Sequence, residues 1–410
     1  MLLFYLFICS SFICSGQLSR TTTDVLAQNV LDKNQLPYSS NLDFLKNKAG
    51  RIPILESFDF RTSTDEYEID QQEFTLRFDL NSNDERKAYD RVLASNKQLY
   101  SLMQDEYVSD QLENDYRLLV DYYFDLSELG LIKQDLSMVK DKRTVLSKMM
   151  SNTDNVNISN WLSNQDDIIS LVMDSLEIEQ SLNNRRSLLF GGEGKTMVIV
   201  FNDFISIDKI SEVIKMKLGK GPSAIDTDIA ISKEEKAKAE YELEEAETNK
   251  WLRFLQLRYQ SDDDVSFQKE MSFSASINIP TKSTNKIKRN DAALEVLDKK
   301  YDRLLKLEES NIDYSSNILK LESALVNYSD LQKLIEEQEL EETYDNYLAL
   351  GNVSPLTLLG IQKNISKHKS KLLNAKKRIY EVYLDLICNS SVILEKPRVN
   401  FLTNRLEIIE

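Results

Sequence analysis

Helix breakers are scarce in this chain, with 10 glycines and 6 prolines in 410 residues. So few forced turns favour a small number of long helices over many short elements. Histidine is scarcer still. His368 is the single imidazole, no Cys/His cluster exists for zinc, and no Gly-x-Ser-x-Gly elbow occurs, so an enzyme is not expected. Of the 3 cysteines, Cys9 and Cys14 lie in the N-terminal apolar segment, which leaves Cys388 alone and excludes an intrachain disulfide framework. Long apolar runs are missing apart from residues 1–13, too short to span a bilayer. Cys14-Ser15-Gly16 before Gln17 suits a cleavage site, so residues 1–16 read as a signal peptide, with a lipid-attached Cys14 the alternative. Positive charge is in deficit: the net charge of −16 argues against a nucleic-acid or anionic-lipid partner. No cofactor is expected either. Residues 191–196, GGEGKT, have Leu189 where a phosphate-binding loop requires glycine.

What the chain does contain is a long, phased helical pattern. After Gly351, Ser354 and Pro355 comes the series Leu358, Ile361, Ile365, His368, Leu372, Ala375, Ile379, Val382, Leu386, whose alternating steps of three and four mark a narrow packing seam. Gly351 suits the positive φ that ends a helix, Ser354 suits a cap, and Pro355 suits a first turn. A helix therefore arrives, reverses at a polar tip and returns. A weaker copy lies 197 residues earlier, where Asn155, Val156, Trp161, Leu162, Gln165 and Ile168 share the offsets of Asn352, Val353, Leu358, Leu359, Gln362 and Ile365. Its seam continues through Leu171, Ser175, Ile178 and Leu182.

The same offset joins two stretches of period two. Phe58 and Phe60 are followed by Phe74, Leu76, Phe78 and Leu80, alternating with Thr75, Arg77 and Asp79. Adding 197 gives Leu255 and Leu257, then Met271, Phe273, Ala275 and Ile277, alternating with Ser272, Ser274 and Ser276. The spacing predicts strands near 51–61 and 72–81, and near 250–258 and 270–280. Long helices are expected from about 84 and about 290, on the order of 100 Å each. Return helices are expected over 159–189 and 355–388. Ser232-Lys-Glu-Glu235 reads as a capping box opening a helix to 248. A helical segment broken near Pro37 covers 22–47, a polar linker 183–194, a short strand 196–201 and a short helix 207–218. Acidic pairs such as Glu336-Glu337 and Glu341-Glu342 read as solvated helix faces, and Tyr116, Tyr122 and Tyr123 as helix packing.

The organisation is thus a first repeat over 17–205 with its tip at about 151–158, and a second over 206–410 with its tip at about 350–355. Equatorial segments are expected at about 190–221 and 389–410. Two hairpins per chain are too few to close a barrel, and open edges are not tolerated in lipid. Closure needs several copies. Three would make a β-barrel in the outer membrane, standing on an α-helical barrel in the periplasm. The fold class is mainly α with a small β part.

At this point LALGNVSPLTLLGIQKNI at the second tip and FSASINIP at the second hairpin's exit resemble the outer-membrane efflux (TolC-like) family. The resemblance covers nearly all of the mature chain. It implies a homotrimer in the outer membrane of a Gram-negative bacterium, with a long periplasmic portion. It implies a passive export duct of a tripartite efflux or type I secretion-like system, opened by a periplasmic adaptor (membrane fusion) protein and served by an inner-membrane pump. Adaptor docking is carried over onto Gly351, Asn352, Val353, Ser354, Pro355, Asn155 and Val156. The family's tip aromatic aligns with Leu348, its gating arginine with Val353, and its aspartate pair with Thr357 and Gly360. The family's polar lock is therefore absent here, and the gate candidates are Asp154, Asp166, Asp167, Leu348 and Thr357. An acidic chain tends toward a cation-favouring lumen if its carboxylates face inward. The rival reading is a secreted coiled-coil stalk or adhesion protein without transport activity.

Overall fold

The computed structural model describes residues 19–31, 36–64, 72–152, 158–190, 197–201, 203–218, 224–260, 271–277, 286–351 and 353–409. In chain order the elements are β1 (Ser19–Thr21), α1 (Thr22–Leu31), α2 (Ser39–Asn47), β2 (Leu55–Thr64), β3 (Gln72–Leu80), α3 (Asn83–Asn152), α4 (Ile158–Phe190), β4 (Val198–Val200), α5 (Ile207–Leu218), α6 (Ile225–Thr248), β5 (Leu252–Gln260), β6 (Met271–Ile277), α7 (Lys286–Glu336), α8 (Leu340–Leu350) and α9 (Pro355–Cys388). The chain is mainly helical with a small sheet. It divides into two compact units, each drawing on both halves of the sequence.

One unit takes the N-terminal segment, Val108–Ser223 and Ile312–Glu410. Its core joins Leu112, Tyr116, Leu119 and Phe124 of α3 to Leu182 and Leu189 of α4, Ile210 and Val213 of α5, and Tyr380, Tyr383 and Ile387 of α9. The seam of α9 is half-buried from Leu358 to Ala375. Beyond Ile379 its neighbours Tyr380, Tyr383, Leu384 and Ile387 are buried as well. A helix that changes from a stripe to an all-round apolar surface has entered a place where other segments cover it. Those segments are the C-terminal tail and the link after α4. Tyr380 donates to the Ile205 carbonyl, Tyr383 donates to that of Phe401 at 2.9 Å, and Tyr116 donates to that of Val399 at 3.1 Å. Asn400, fully buried, donates to Thr22 Oγ1 and Thr23 Oγ1 at 3.0 and 2.9 Å, and its Oδ1 accepts from the Leu402 N–H at 2.9 Å. Strand β1 pairs in parallel with β4 beside it. The tyrosine hydroxyls and the Asn400 amide thus find partners, without which each would cost ~1–3 kcal/mol.

The other unit takes Gln35–Tyr107 and Ala224–Asn311 and carries an antiparallel sheet of order β2-β3-β5-β6. Helix α3 opens on a capping box here. Ser82 Oγ accepts from the Glu85 N–H at 3.1 Å, and Glu85 Oε2 accepts from the Ser82 N–H at 2.5 Å.

Several expectations are corrected. The same four-residue pattern at Ser232–Glu235 caps nothing, because α6 begins earlier, at Ile225, and Ser232 is fully buried inside it. Residues 183–190 form no linker, since α4 runs through them to Phe190. The second long helix is broken: α7 stops at Glu336 and α8 starts at Leu340. The first strand lies at 55–64 rather than 51–61, since its ladder with β3 runs from Leu55–Leu80 to Thr64–Gln72, with a register shift between Leu55 and Ser57. The other three lie at 72–80, 252–260 and 271–277, and residues 278–280 fall outside the described residues.

Candidate functional site

The sheet has two chemically distinct faces. Register places Phe58, Phe78, Leu255 and Ala275 on one rung, Phe60, Leu76, Leu257 and Phe273 on another, and Thr62, Phe74, Tyr259 and Met271 on a third. Side chains alternate across a strand, so all three rungs lie on one face. Ring contacts tie them together: Phe58 to Phe78 at 5.3 Å, Phe60 to Phe74 at 6.2 Å, and Phe74 to Tyr259 at 6.2 Å. This apolar face is open. Phe58 and Phe60 are each 55% exposed and Phe273 is 67% exposed. Seven residues of β3, Phe74–Leu80, extend it to roughly 20 Å along the strand.

The opposite face carries Asp59, Arg77, Gln256 and Ser274 on one rung and Arg61, Thr75, Arg258 and Ser272 on the next. Arg77 bonds Asp79 at 2.9 Å and lies 4.0 Å over the Phe254 ring, and Arg258 bonds Glu73 at 2.7 Å. Asp59, Glu73 and Asp79 are matched in number by Arg61, Arg77 and Arg258. The acidic surplus of the chain is therefore not on the paired residues of this face. Among the described strands, one edge of β2 and one edge of β6 have no partner.

The duplication is visible in hydrogen-bond register. The pairs Phe58–Phe78, Phe60–Leu76 and Thr62–Phe74, moved by 197 residues, become Leu255–Ala275, Leu257–Phe273 and Tyr259–Met271, and all six are observed pairs. The ladder irregularities coincide too, at Leu55/Ser57 and Leu252/Phe254. Helices α4 and α9 start at equivalent positions, Ile158 and Pro355.

At the second tip, α8 ends on Gly351 with φ +67°, the left-handed value that glycine adopts without penalty. Pro355 opens α9. Ser354 stands at the cap with ψ 130° but makes no side-chain cap bond, contrary to expectation. Leu348, Ser354, Pro355 and Thr357 are exposed and Val353 is half-buried. Asn352, Asp154, Asn155 and Val156 lie outside the described residues. Of the remaining gate candidates, Asp166 is exposed, and Asp167 on α4 meets Lys363 on α9 at 3.3 Å. Sequence reasoning missed Lys363, and also the pairs that fasten α8 to α9: Gln362 Nε2 donating to Tyr344 Oη at 2.6 Å, and Lys369 with Glu341 at 2.9 Å. Each partner is ordinary in its own helix, so nothing in its local sequence marks it.

No protein-family model matches the chain, and no curated protein does. Solved structures do match. The outer membrane protein VceC from Vibrio cholerae superposes with a TM-score of 0.65 at 11% identity, over 90% of this chain and 96% of that one. CusC, described in connection with transmembrane channel formation, gives 0.64 at 15% identity over 89% and 91%. The MtrE outer membrane channel of Neisseria gonorrhoeae gives 0.62 at 13% identity over 90% and 87%.

The chain has the TolC-like fold.

At such identities the likeness speaks to the fold alone. In this chain the fold is a strand hairpin, a long outgoing helix and a return helix, twice over. Among the described residues no helix is long and apolar enough to cross a membrane.

Proposed function

We propose that this chain is one third of a passive export duct in the outer membrane of a Gram-negative bacterium. The observation that carries the reading is the sheet, apolar on one face, charged on the other and open at both edges. An open edge is not viable in hydrocarbon, so the sheet must close with other copies. With four antiparallel strands in each chain, β6 of one copy meets β2 of the next antiparallel, so three copies give a uniform ring. The apolar face would meet lipid and the charged face would line water. The two repeats, 17–205 and 206–410, would each supply one hairpin to that barrel and one helical hairpin to a periplasmic tube.

The tips, Gly351–Pro355 in the second repeat and Asn155–Val156 in the first, are the surface offered to a periplasmic adaptor, behind which an inner-membrane pump would supply the cargo. No chemical step is required. Opening is a shift between two arrangements, driven by the adaptor's better fit to one of them. The Lys363–Asp167 pair fastens α9 to α4 beside the tips. Both side chains are well exposed, so the pair is worth ~0–1 kcal/mol, a fastening that a docking partner can outweigh.

Fractionation tests the proposal. The mature protein is expected in outer-membrane material and as a trimer that dissociates on heating in detergent. A stable, detergent-free monomer would overturn it. In planar bilayers, Lys363→Asp is expected to raise the fraction of time spent open, and the double variant Lys363→Asp with Asp167→Lys to restore it.

A further inference from the structure

The two return helices are duplicates with opposite charge. From Ile158 to Asn184, α4 carries carboxylates but neither Lys nor Arg. From Pro355 to Tyr380, α9 carries Lys and Arg but no carboxylate. Lys363 and Lys371 of α9 stand where α4 has Asp166 and Asp174, and all four are exposed. The flanks of the two helices differ as well. One flank of α9 runs through Leu359, Ser366, Leu373 and Lys377 and is covered by the first helical hairpin. Leu359 shares a cavity wall with Met138 and Val139 of α3 and Leu171 of α4, Leu373 packs on the core, and Lys377 meets Asp121 of α3 at 3.2 Å. The equivalent flank of α4 is bare: Leu162, Ile169 and Leu176 are exposed, with Met173 beside them. Ile169 is 62% exposed, whereas its counterpart Ser366 is 7% exposed. The bare flank is thus the more apolar of the two, and a contiguous apolar surface of this kind marks an interaction site. The second repeat shows the complementary gap. Leu319 and Val326 of α7 are exposed, whereas their counterparts Tyr122 and Leu129 of α3 are buried. Each repeat therefore lacks cover where the other has it.

We propose that the bare flank of α4 docks on the second repeat of another copy of this chain, in the geometry by which the first repeat covers α9 within one chain. Repeat equivalence then assigns the contacts. Lys363 lines the cavity wall with Asp167 and Ser170 of α4. Moved by the common offset, that group becomes Asp166 of one copy with Asn364 and Lys367 of the next. Leu359 and Met138, moved likewise, become Leu162 of one copy against Ile335 of the next. Inside a chain the α4–α9 contact pairs Asp167 with Lys363, and between chains it pairs an acidic helix with a basic one again. Two α4 helices or two α9 helices side by side would repel. Opposite charging of the return helices thus selects a head-to-tail contact, which closes into a ring, over a two-fold pairing of like repeats. That the ring holds three copies rests on the duct reading. The flank contact rests on the equivalence of the repeats.

The test uses purified full-length protein in detergent and a short bismaleimide cross-linker. Asp166→Cys combined with Asn364→Cys is expected to give covalent dimers and trimers on a denaturing gel. Asp167→Cys combined with Lys363→Cys, the equivalent pair inside one chain, is expected to give none. Cys388 is buried, and each single variant reads its background. Ile169→Ser, which gives α4 the residue that α9 has there, is expected to lower the temperature at which the trimer dissociates without loss of helical content by circular dichroism. Asp166→Lys is expected to lower it too, and Asp166→Lys with Lys367→Asp to restore it, a rescue that a misfolded variant could not produce. A trimer that yields no cross-linked oligomer overturns the proposal and leaves the duct reading standing. So does a trimer in which Ile169→Cys reacts with a soluble maleimide as fast as in the unfolded chain, which would give the flank to a different protein. A detergent-free monomer overturns both. Cross-linked copies that conduct nothing in planar bilayers would uphold the interface and count against the duct.

Discussion

The two repeats share a plan and differ in the continuity of one helix. Their strand hairpins have equivalent registers and their return helices start at equivalent residues, but the outgoing helices do not match. In the first repeat α3 is continuous over 70 residues. In the second, residues 337–339 interrupt the helix and Glu339 takes φ 47°, a left-handed value that a residue with a Cβ adopts at a cost. The cause lies in seam phase. Leu321, Ala324, Tyr328, Leu331 and Ile335 turn inward at steps of three and four, and the next inward residues are Leu340, Thr343 and Tyr344. An unbroken helix would carry Gln338 or Glu339 onto the seam. The turn skips them, with Gln338 and Glu339 closing tight bonds to the carbonyls of Ile335 and Glu336 at 3.2 and 3.1 Å. Duplication thus preserves a sheet register more strictly than a helix phase. A one-residue slip inverts every side chain of a strand, whereas a helix can absorb it in one turn.

The widest separation of the repeats is expected in the return helices. Tyr380 is fully buried in α9, whereas Asn183, its counterpart in α4, is exposed. Tyr380→Ala is expected to cost about 3–5 kcal/mol and Asn183→Ala no more than about 0.5 kcal/mol, read by urea denaturation. Comparable losses at both sites would erase the contrast.

The sheet should instead show equality. Leu76→Lys and Phe273→Lys, equivalent positions on the apolar face, are each expected to cost up to roughly 2–4 kcal/mol and to deplete the trimer. Ser274→Lys, one residue along and on the polar face, is expected to leave it intact on a semi-native gel.

At the break the signs should oppose. Glu339→Gly relieves a left-handed residue and is expected to stabilise by about 1 kcal/mol. Lys142→Gly, its counterpart inside the continuous α3, is expected to destabilise by about the same amount. Thermal unfolding of the two variants side by side decides it, and a shared sign would mean that the break is not held in the folded protein.

The smallest effect concerns α1. The Asp24 carboxylate accepts from the Thr21 N–H at 3.0 Å and from its hydroxyl at 2.8 Å. The backbone bond first and the hydroxyl second hold its pKa below the ordinary carboxylate value. A depressed folded pKa gives stability that is present above the unfolded value and lost as pH falls through the folded one. The counterpart at the same offset is Gly221, with no carboxyl. Wild type is expected to lose, below about pH 4, an increment of under about 1 kcal/mol that Asp24→Asn already lacks.

Much of this molecule was legible in one dimension. The period-two runs, the stepped seams and the common offset are local patterns, and local patterns settle which face of an element is apolar whatever surrounds it. They determined the mainly helical class, the two strand hairpins and the equivalent starts of the two return helices. What only the tertiary structure decided depends on which elements become neighbours. Two identical capping patterns differ in outcome because one lies where the chain emerges from a strand and the other within a helix already begun. Asp167 meets Lys363, and Asn400 meets Thr22 and Thr23, across separations in the chain that no periodicity spans. Hydrophobic phase is carried residue by residue along the chain. The partner of a polar atom is settled by packing.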